Sequence, residues 1–394
     1  MNNVNIKINN TNDYTFILIC HFGLEKILKS ELKKLGFSIL GVTDGEVKII
    51  GHLSDIPKLN YNLRTCERVM IELSKFEARI SDDLYNGALN TPIEDLVPVD
   101  GEFLVTKANQ DKNSNLKSSS ANQKTVKKAF VERLIRTYKT DVLTESRGKY
   151  PFRVKFNKNI CSIRLDTTGD SLHKRGYRIK SGLAPIEETL AAALVELIDF
   201  KKDSILVDPF CGSGTILIEA AMIAANIPPS VDRAFVSETW DVIDKNVWKD
   251  ERKKAIENID SERLKFGDIK IFGFDIDKNM ISVSKDNAVR AGVDKLISFE
   301  TLDVKYLGDN EKIKKYNNII IITNPPYGER LNNKDDIEPI YKSLKTSFDK
   351  LHGAKLHVIT PYEHMSRIFG KEIKNRKIYN GMIKTYLYSY ENMM

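Results

Sequence analysis

The 394-residue sequence has few cysteines and no long hydrophobic run. Its four cysteines, Cys20, Cys66, Cys161 and Cys211, form no C-x-x-C pair, and its six histidines show no ligand spacing, which argues against disulfides and metal sites. No stretch approaches the roughly 20 apolar residues that span a bilayer, and the beginning, MNNVNIKINN, lacks the order of a signal peptide. These absences predict a cytoplasmic protein without a membrane partner or a metal, and they assign no oligomeric state.

Two common phosphate-binding motifs are missing as well. The sequence has no G-x-x-x-x-G-K-[ST], which excludes a P-loop. Gly212 and Gly214 form a G-x-G turn in LVDPFCGSGTILIEA (206–220), but Leu217 occupies the position of the third glycine in the dinucleotide fingerprint. Asp208 stands just before the turn and would repel a pyrophosphate. A nicotinamide-dependent oxidoreductase is therefore the least favoured class of enzyme, and tight NADH binding would revive it.

The sequence does contain a strongly basic block. Residues 101–180 hold 19 Lys and Arg against 7 Asp and Glu, a net charge of +12, whereas the whole chain carries +7. A basic block in an otherwise slightly acidic chain is typical of a surface that neutralises phosphates. The alternative is a solvated face with exposed lysines.

The two halves of the chain differ in their periodicity. The first half mixes short strand patterns with predicted helices over 23–36, 56–73 and 124–138, and residues 110–123 are polar and predicted as a loop. From residue 180 on, strands and helices alternate, which predicts βαβ units and a doubly wound, mainly parallel α/β sheet. The helix over 184–200 has Pro185 at a favourable first position. Asn380-Gly381 splits the last two strand-like runs and predicts an antiparallel hairpin.

Three predicted strands of the second half end in acidic residues. Asp208 precedes the glycine turn, Asp275 and Asp277 lie in GFDID, and Asp303 ends the third strand. The carboxyl ends of parallel strands meet at one sheet edge, where Asp275 and Asp277 would bind ribose hydroxyls and Asp303 an adenine amino group. Acids at this edge suit a cationic adenosine better than a dinucleotide. For any single acid, capping of a helix is the alternative.

The motifs resemble those of a known class of enzyme. DPFCGSGT, GFDID, the Leu-Asp pair at 302–303 and NPPYGERL follow the motif series of class I S-adenosylmethionine-dependent methyltransferases that modify exocyclic amino groups. CHFGLEKILKSEL (20–32), KSSSANQKTVKKAFVERL (117–134) and GDSLHKRGYRIKSGLAPIEETLAAALV (169–195) are similar to bacterial THUMP-containing RNA methyltransferases, including those that form N2-methylguanosine in 23S ribosomal RNA. The resemblance covers nearly the whole chain.

This resemblance implies a fold and a cofactor. The expected fold is a class I methyltransferase (Rossmann-like) domain over 167–394, including a linker, preceded by a ferredoxin-like α+β segment over 1–60 and a THUMP-like RNA-binding domain over 61–166. The expected cofactor is S-adenosyl-L-methionine, held by Asp208, Pro209, Phe210, Gly212, Gly214, Thr215, Asp275, Ile276, Asp277 and Asp303.

The resemblance also assigns roles in IITNPPYGER (321–330). An amino nitrogen on an aromatic ring is a poor nucleophile because its lone pair is delocalised, so acceptors must draw its N–H groups into place. Those acceptors fall on the Asn324 side chain and the Pro325 carbonyl, while Pro325 and Pro326 stiffen the turn. Tyr327 would stack on the target base, and Gly328 would permit its close approach.

The leading functional prediction is an RNA methyltransferase acting on guanine N2 of 23S ribosomal RNA or of a ribosome-assembly intermediate. Alternatives are adenine-N6 methylation of DNA or RNA and a non-catalytic RNA-binding or ribosome-assembly protein. The predicted RNA contacts are Lys124, Lys127, Lys128, Lys174, Arg175, Tyr177 and Arg178.

Overall fold

The structure is a computed structural model that describes residues 12–178, 186–198, 204–263, 270–327, 337–381 and 383–392. The predictions made for Pro185 and Gly328 lie outside these residues. Two seven-stranded sheets organise the described chain, one in each half. Among the described residues, no helix is both long and apolar enough to cross a membrane.

The first sheet has the order β2-β3-β1-β4-β7-β6-β5, and neighbouring strands are antiparallel except for the parallel pair β5 and β6. Its strands are β1 (Tyr14–Cys20), β2 (Ile39–Thr43), β3 (Glu46–Gly51), β4 (Cys66–Glu77), β5 (Gly101–Asn109), β6 (Arg147–Asn157) and β7 (Ile160–Asp166). The helices of this half are α1 (Glu25–Lys34), α2 (Ile56–Asn62), α3 (Ser81–Leu89) and α4 (Ser119–Tyr138).

Two predicted helices differ from the structure. The helix predicted over 56–73 is correct only as far as Asn62, since the chain enters β4 at Cys66. β4 lies between β1 and β7 and pairs with both. This pairing makes the short apolar run a strand, which periodicity alone cannot distinguish from a helix. The helix predicted over 124–138 begins five residues earlier, at Ser119, and the Ser118 hydroxyl caps it by accepting from the Ala121 N–H at 3.3 Å. The end of the predicted loop is therefore helical.

The second sheet has the order β10-β9-β8-β11-β12-β14-β13. Its strands are β8 (Ile205–Asp208), β9 (Lys270–Asp275), β10 (Ile297–Thr301), β11 (Ile319–Thr323), β12 (Lys355–Thr360), β13 (Lys374–Asn380) and β14 (Ile383–Glu391). The helices are α5 (Glu188–Leu197), α6 (Thr215–Ala224), α7 (Lys245–Arg263), α8 (Lys278–Arg290), α9 (Glu311–Lys314), α10 (Ile337–Asp349) and α11 (Met365–Phe369).

The topology of the second sheet confirms the predicted fold. Strands β8 to β12 are parallel to one another, whereas β14 runs antiparallel to both β12 and β13. The chain order reverses between β8 and β11, so the helices that follow these strands diverge to opposite faces. Such a reversal opens a crevice at the carboxyl ends of the strands, where ligands bind in doubly wound folds.

An insertion segment, residues 226–248, leaves the second sheet and joins the core of the first. Its Phe235, Trp240, Ile243 and Trp248 are buried in the same hydrophobic cluster as the first sheet. Trp240 stacks on Tyr150 with ring centroids 5.1 Å apart, and its indole N–H donates to the Lys149 carbonyl at 2.8 Å. The second half therefore contributes part of the core of the first, a feature that the sequence analysis missed.

Candidate active site

The glycine turn after β8 forms the base of the site. Gly212 and Gly214 have φ values of +52° and +83°, a region that favours glycine. A side chain at Gly214 would also come within 3.1 Å of Phe299 and Ser284. The Gly212 N–H donates to Oδ2 of Asp275 at 2.9 Å, so the turn is tied to the end of β9.

A cleft of about 780 Å³ opens above this turn at the carboxyl edge of the sheet. All the residues predicted to bind the cofactor line it except Gly214, whose part is to shape the turn. From the other side, Asn324 and Pro326 after β11 also line it. The structure therefore brings the cofactor motif and the target motif, more than 100 residues apart in sequence, into one cleft.

The acids at the strand ends have different surroundings. Asp275 is half-buried and accepts from Gly212 and, at 2.9 Å, from the Asp277 N–H. Asp277 is exposed and caps α8 by accepting from the Asn279 N–H at 2.8 Å. Asp275 is therefore held in place within the site. Asp277 caps a helix, which was the alternative to ligand binding that the sequence analysis gave for each acid.

Asp303 is held by its neighbour Lys305. The carboxylate accepts from the Lys305 N–H at 3.0 Å and lies 3.0 Å from the Lys305 ammonium group. Burial would raise the pKa of Asp303, but these contacts lower it below its ordinary value. Asp303 is therefore an ionised acceptor. Near it, Ile276 is 71% exposed and offers an apolar surface on the lining of the cleft.

Asp208 is the most deeply buried acid of the cleft. Its Oδ1 accepts from the Thr323 hydroxyl at 2.6 Å and from the Phe210 N–H at 3.0 Å. Burial raises the pKa of Asp208 to about 7, because the carboxylate is desolvated. The carboxyl group therefore changes its charge near neutral pH.

Asn324 follows β11 and carries an acceptor without a partner. The side chain is 6% exposed, and its Oδ1 is buried with no hydrogen-bond partner among the described residues. A buried acceptor left unpaired costs about 1–3 kcal/mol, so a donor from a ligand would be favoured there. Because Asn324 lines the cleft, this oxygen is suited to receive an N–H group of a target base.

Tyr327 does not present the open face that the sequence predicted. Its ring is 6% exposed, and its hydroxyl accepts from the Asn380 side-chain amide at 3.0 Å, across to β13. In this structure the Tyr327 hydroxyl therefore links the target motif to the C-terminal hairpin. Neither Tyr327 nor Pro325 lines the cleft.

The charge of the cleft fits S-adenosylmethionine. Among the described residues, the charged groups that line it are the four carboxyl groups of Asp208, Asp275, Asp277 and Asp303 and the ammonium group of Lys305. An acidic lining favours a ligand with cationic groups and disfavours a pyrophosphate. The acids at the ends of β9 and β10 would hold the adenosine, and the glycine turn would approach the remainder of the cofactor.

The predicted RNA contacts divide into two groups. Lys124 and Lys128 on α4 are exposed, as is Lys174, and the Lys127 ammonium lies 3.6 Å from Glu145. Three others turn inward, namely Arg175, Tyr177 and Arg178. Arg175 and Tyr177 are each 4% exposed, and the Tyr177 hydroxyl donates to buried Glu219 at 3.1 Å, while Arg178 pairs with Glu188 at 2.9 Å. The prediction that Arg175 and Tyr177 face RNA is wrong in this structure, because a buried side chain cannot stack on a base.

The fold also gathers histidines that the sequence spacing did not connect. Glu67 accepts through Oε2 from the Ser171 hydroxyl at 2.6 Å and lies 3.0 Å from Nδ1 of His173. Its Oε1 accepts from the Thr189 hydroxyl and lies 3.3 Å from Nε2 of His21. The Glu67 carboxylate thus contacts groups from the first half, from residues 171–173 and from α5.

Fold and site together define a class I S-adenosylmethionine-dependent methyltransferase. The chain belongs to the RMKL-like methyltransferase family, whose methyltransferase-domain model matches residues 175–389, and an RlmL ferredoxin-like domain matches residues 15–70.

Among its relatives is the Bacillus subtilis (strain 168) protein named "Putative RNA methyltransferase YpsC", which is 37% identical over 96% of both chains. The ribosomal RNA large subunit methyltransferase K/L of Psychromonas ingrahamii is 32% identical over 93% of this chain and 49% of that protein. The chain thus spans about half the length of the K/L relatives it matches.

Solved structures agree with the family. The SMU.472 structure, described as "a putative methyltransferase complexed with SAH", superposes with a TM-score of 0.88 at 32% identity and covers 98% of this chain and 99% of that one. A Listeria monocytogenes protein described as a "predicted N6-adenine-specific DNA methylase" has a TM-score of 0.88 at 37% identity and covers 96% of each chain. The cofactor prediction, S-adenosylmethionine, is therefore confirmed.

Proposed function

We propose that this protein methylates the exocyclic N2 of a guanine in 23S ribosomal RNA, a substrate that would place the reaction in the cytoplasm. The observation that carries the proposal is the unpaired, buried Oδ1 of Asn324 in the lining of the cofactor cleft. The names of the relatives support RNA as the substrate, and those of the K/L relatives support the large ribosomal subunit.

The residues of the cleft would align the target nitrogen. When bound, the cofactor supplies a methyl group activated by its sulfonium. Asn324 Oδ1 accepts one N–H of the target amine. We assign the other N–H to the Pro325 carbonyl, which would have to turn toward the cleft because Pro325 does not line it in this structure. With both N–H groups held, the nitrogen lone pair points out of the base plane. Since the Asn324 amide is not basic, the chain's contribution is orientation and electrostatic stabilisation, which are large terms in catalysis.

The basic surface would hold the RNA backbone. Lys124 and Lys128 are exposed on one helix, α4, and Lys174 lies between the two halves. Lysine side chains that neutralise phosphates give affinity without sequence preference, so base choice would rest with the cleft. Tyr327 would have to leave its contact with Asn380 before it could stack on a base.

Adenine N6 is the second candidate target, favoured by the name of the Listeria structure. An Asn-Pro-Pro-Tyr motif serves both amines, since each presents two N–H groups beside an aromatic ring.

Nucleoside analysis after methyl transfer tests the proposal. Wild-type protein incubated with labelled S-adenosylmethionine and unmodified 23S ribosomal RNA should place label in N2-methylguanosine, and Asn324→Ala should lose at least about a hundredfold in kcat because an aligning acceptor is gone. Asn324→Ala should still bind S-adenosylhomocysteine. Label in N6-methyladenosine would overturn the choice of base, and full activity of Asn324→Ala would overturn the role of Asn324.

A further inference from the structure

The segment 172–178 joins the two halves of the chain and turns the side chains of Arg175 and Arg178 inward. The Arg175 guanidinium donates to the carbonyls of Leu172, at 2.8 Å, and of Arg64 in the first half. Its Nε lies 3.5 Å from Glu219, a buried residue of α6 that also accepts from the Tyr177 hydroxyl. The segment is thereby anchored to the helix that follows the glycine turn.

Arg178 continues this anchoring and contacts the back of the cofactor cleft. Its Nη1 donates to the Ile186 carbonyl at 2.7 Å and lies 3.4 Å from the Thr215 hydroxyl. Its Nη2 donates to Glu188 of α5 at 2.9 Å. Ile186 and Thr215 both line the cleft, whereas Arg178 does not. One guanidinium group therefore joins two parts of the cleft wall from outside the ligand space.

We propose that Arg178 is a positioning residue for the cofactor, which fixes Thr215 at the start of α6 and Ile186, two residues before α5, at the spacing that S-adenosylmethionine requires. The planar guanidinium suits this role because its fork of donors reaches three acceptors at once, which an ammonium group cannot reproduce in the same geometry. The proposal rests on the cofactor and not on the identity of the methylated base.

The two roles considered for Arg178 predict different losses. A positioning residue affects binding of the cofactor in the absence of RNA, whereas the RNA contact predicted from the sequence affects only binding of RNA. Lys174 is the matched control, since it lies in the same segment but its side chain is 60% exposed and pairs with Asp170.

The experiment measures S-adenosylhomocysteine affinity by isothermal titration calorimetry, without RNA, for the full-length wild type and the variants R178Q, R178K and K174Q. R178Q should bind about tenfold more weakly, since hydrogen bonds to a charged group are lost. R178K should also bind several-fold more weakly because it keeps the charge but not the fork. K174Q should bind like the wild type. In turnover, R178Q should raise the KM for S-adenosylmethionine with little change in kcat at saturation.

Wild-type affinity for S-adenosylhomocysteine in both R178Q and R178K would overturn the proposal, and a loss confined to affinity for a 23S ribosomal RNA transcript would restore the surface role. Should R178Q fail to fold, Glu188→Gln tests the same contact without altering the arginine. It should weaken cofactor binding by roughly two- to threefold, and an unchanged affinity would count against the proposal. Because the experiment measures cofactor binding without RNA, it tests the role of Arg178 even if the proposed methylation of RNA is not observed.

Discussion

At the scale of single residues, Asp208 makes stability depend on pH. Its pKa is raised from 3.8 to about 7 in the folded protein by burial. A raised carboxyl pKa means that the unfolded chain ionises first, so the free energy of unfolding falls as the pH rises from about 4 to about 7 and then levels off.

Replacing Asp208 by Asn should remove this dependence. Both donors, Thr323 and Phe210, reach the same oxygen, Oδ1, so an Asn side chain can keep both hydrogen bonds. We expect Asp208→Asn to be more stable than the wild type by a few kcal/mol at pH 8 and to differ little at pH 4. Urea denaturation at both pH values measures the difference, and an equal effect at the two pH values would contradict a buried, titrating carboxyl.

The sequence predicted the cleft residues at the strand ends more accurately than it predicted the RNA contacts, which were inferred from charge alone. Asp275 ends β9 and Asn324 follows β11, and because the ends of these strands meet at one sheet edge, the convergence of the two residues could be predicted from the order of the motifs. Arg175 and Tyr177 looked like a basic, aromatic surface, but their partner Glu219 lies more than 40 residues further along the chain. The local sequence pattern around an arginine does not show whether the fold places a buried carboxylate beside it.

Among the secondary-structure elements, helix α4 offers the clearest test of RNA binding. We expect K124Q/K128Q to weaken binding to a 23S ribosomal RNA transcript and to reduce the slope of log affinity against log salt by about 1.4 to 1.8, as two phosphate contacts are lost. Filter binding across a salt series provides the measurement. Lys295→Gln, at an exposed position of the second half, should leave the slope unchanged, and equal slopes for all three proteins would place the RNA elsewhere.

Secondary-structure elements could be predicted where the pattern of nearby residues determines them, and not where pairing with a distant strand does. The alternation of β8 to β12 with helices, and the hairpin at Asn380-Gly381, could be predicted because each strand is bounded by turn residues or a helix. β4 was mistaken for helix because pairing with β1 and β7 is not visible in the run itself. The insertion segment has aromatic residues without a period, and its burial depends on a surface supplied by the other half.

At the scale of the whole molecule, the insertion segment should control overall stability. Trp240 is fully buried, so Trp240→Ala should lower the free energy of unfolding by about 3–5 kcal/mol. Trp240→Phe keeps a stacking ring but loses the hydrogen bond to Lys149 and leaves a smaller cavity, which should cost about 1–3 kcal/mol. Guanidinium denaturation followed by both fluorescence and circular dichroism should give one coincident transition. Two separate transitions would show that the halves unfold independently despite the shared core.

The shared core also sets an order of events during synthesis. The first half supplies Tyr61 and Tyr150, but their partners Trp240 and Trp248 are translated about 90 to 190 residues later. A chain emerging from the ribosome therefore carries an incomplete N-terminal core, with an apolar surface open to solvent or chaperones, until the insertion segment has left the exit tunnel. The core of the first half is thus completed after the glycine turn of the cofactor site has been translated but before the target motif at Asn324, so the order of synthesis gives the chain a finished N-terminal half before it has a complete cleft.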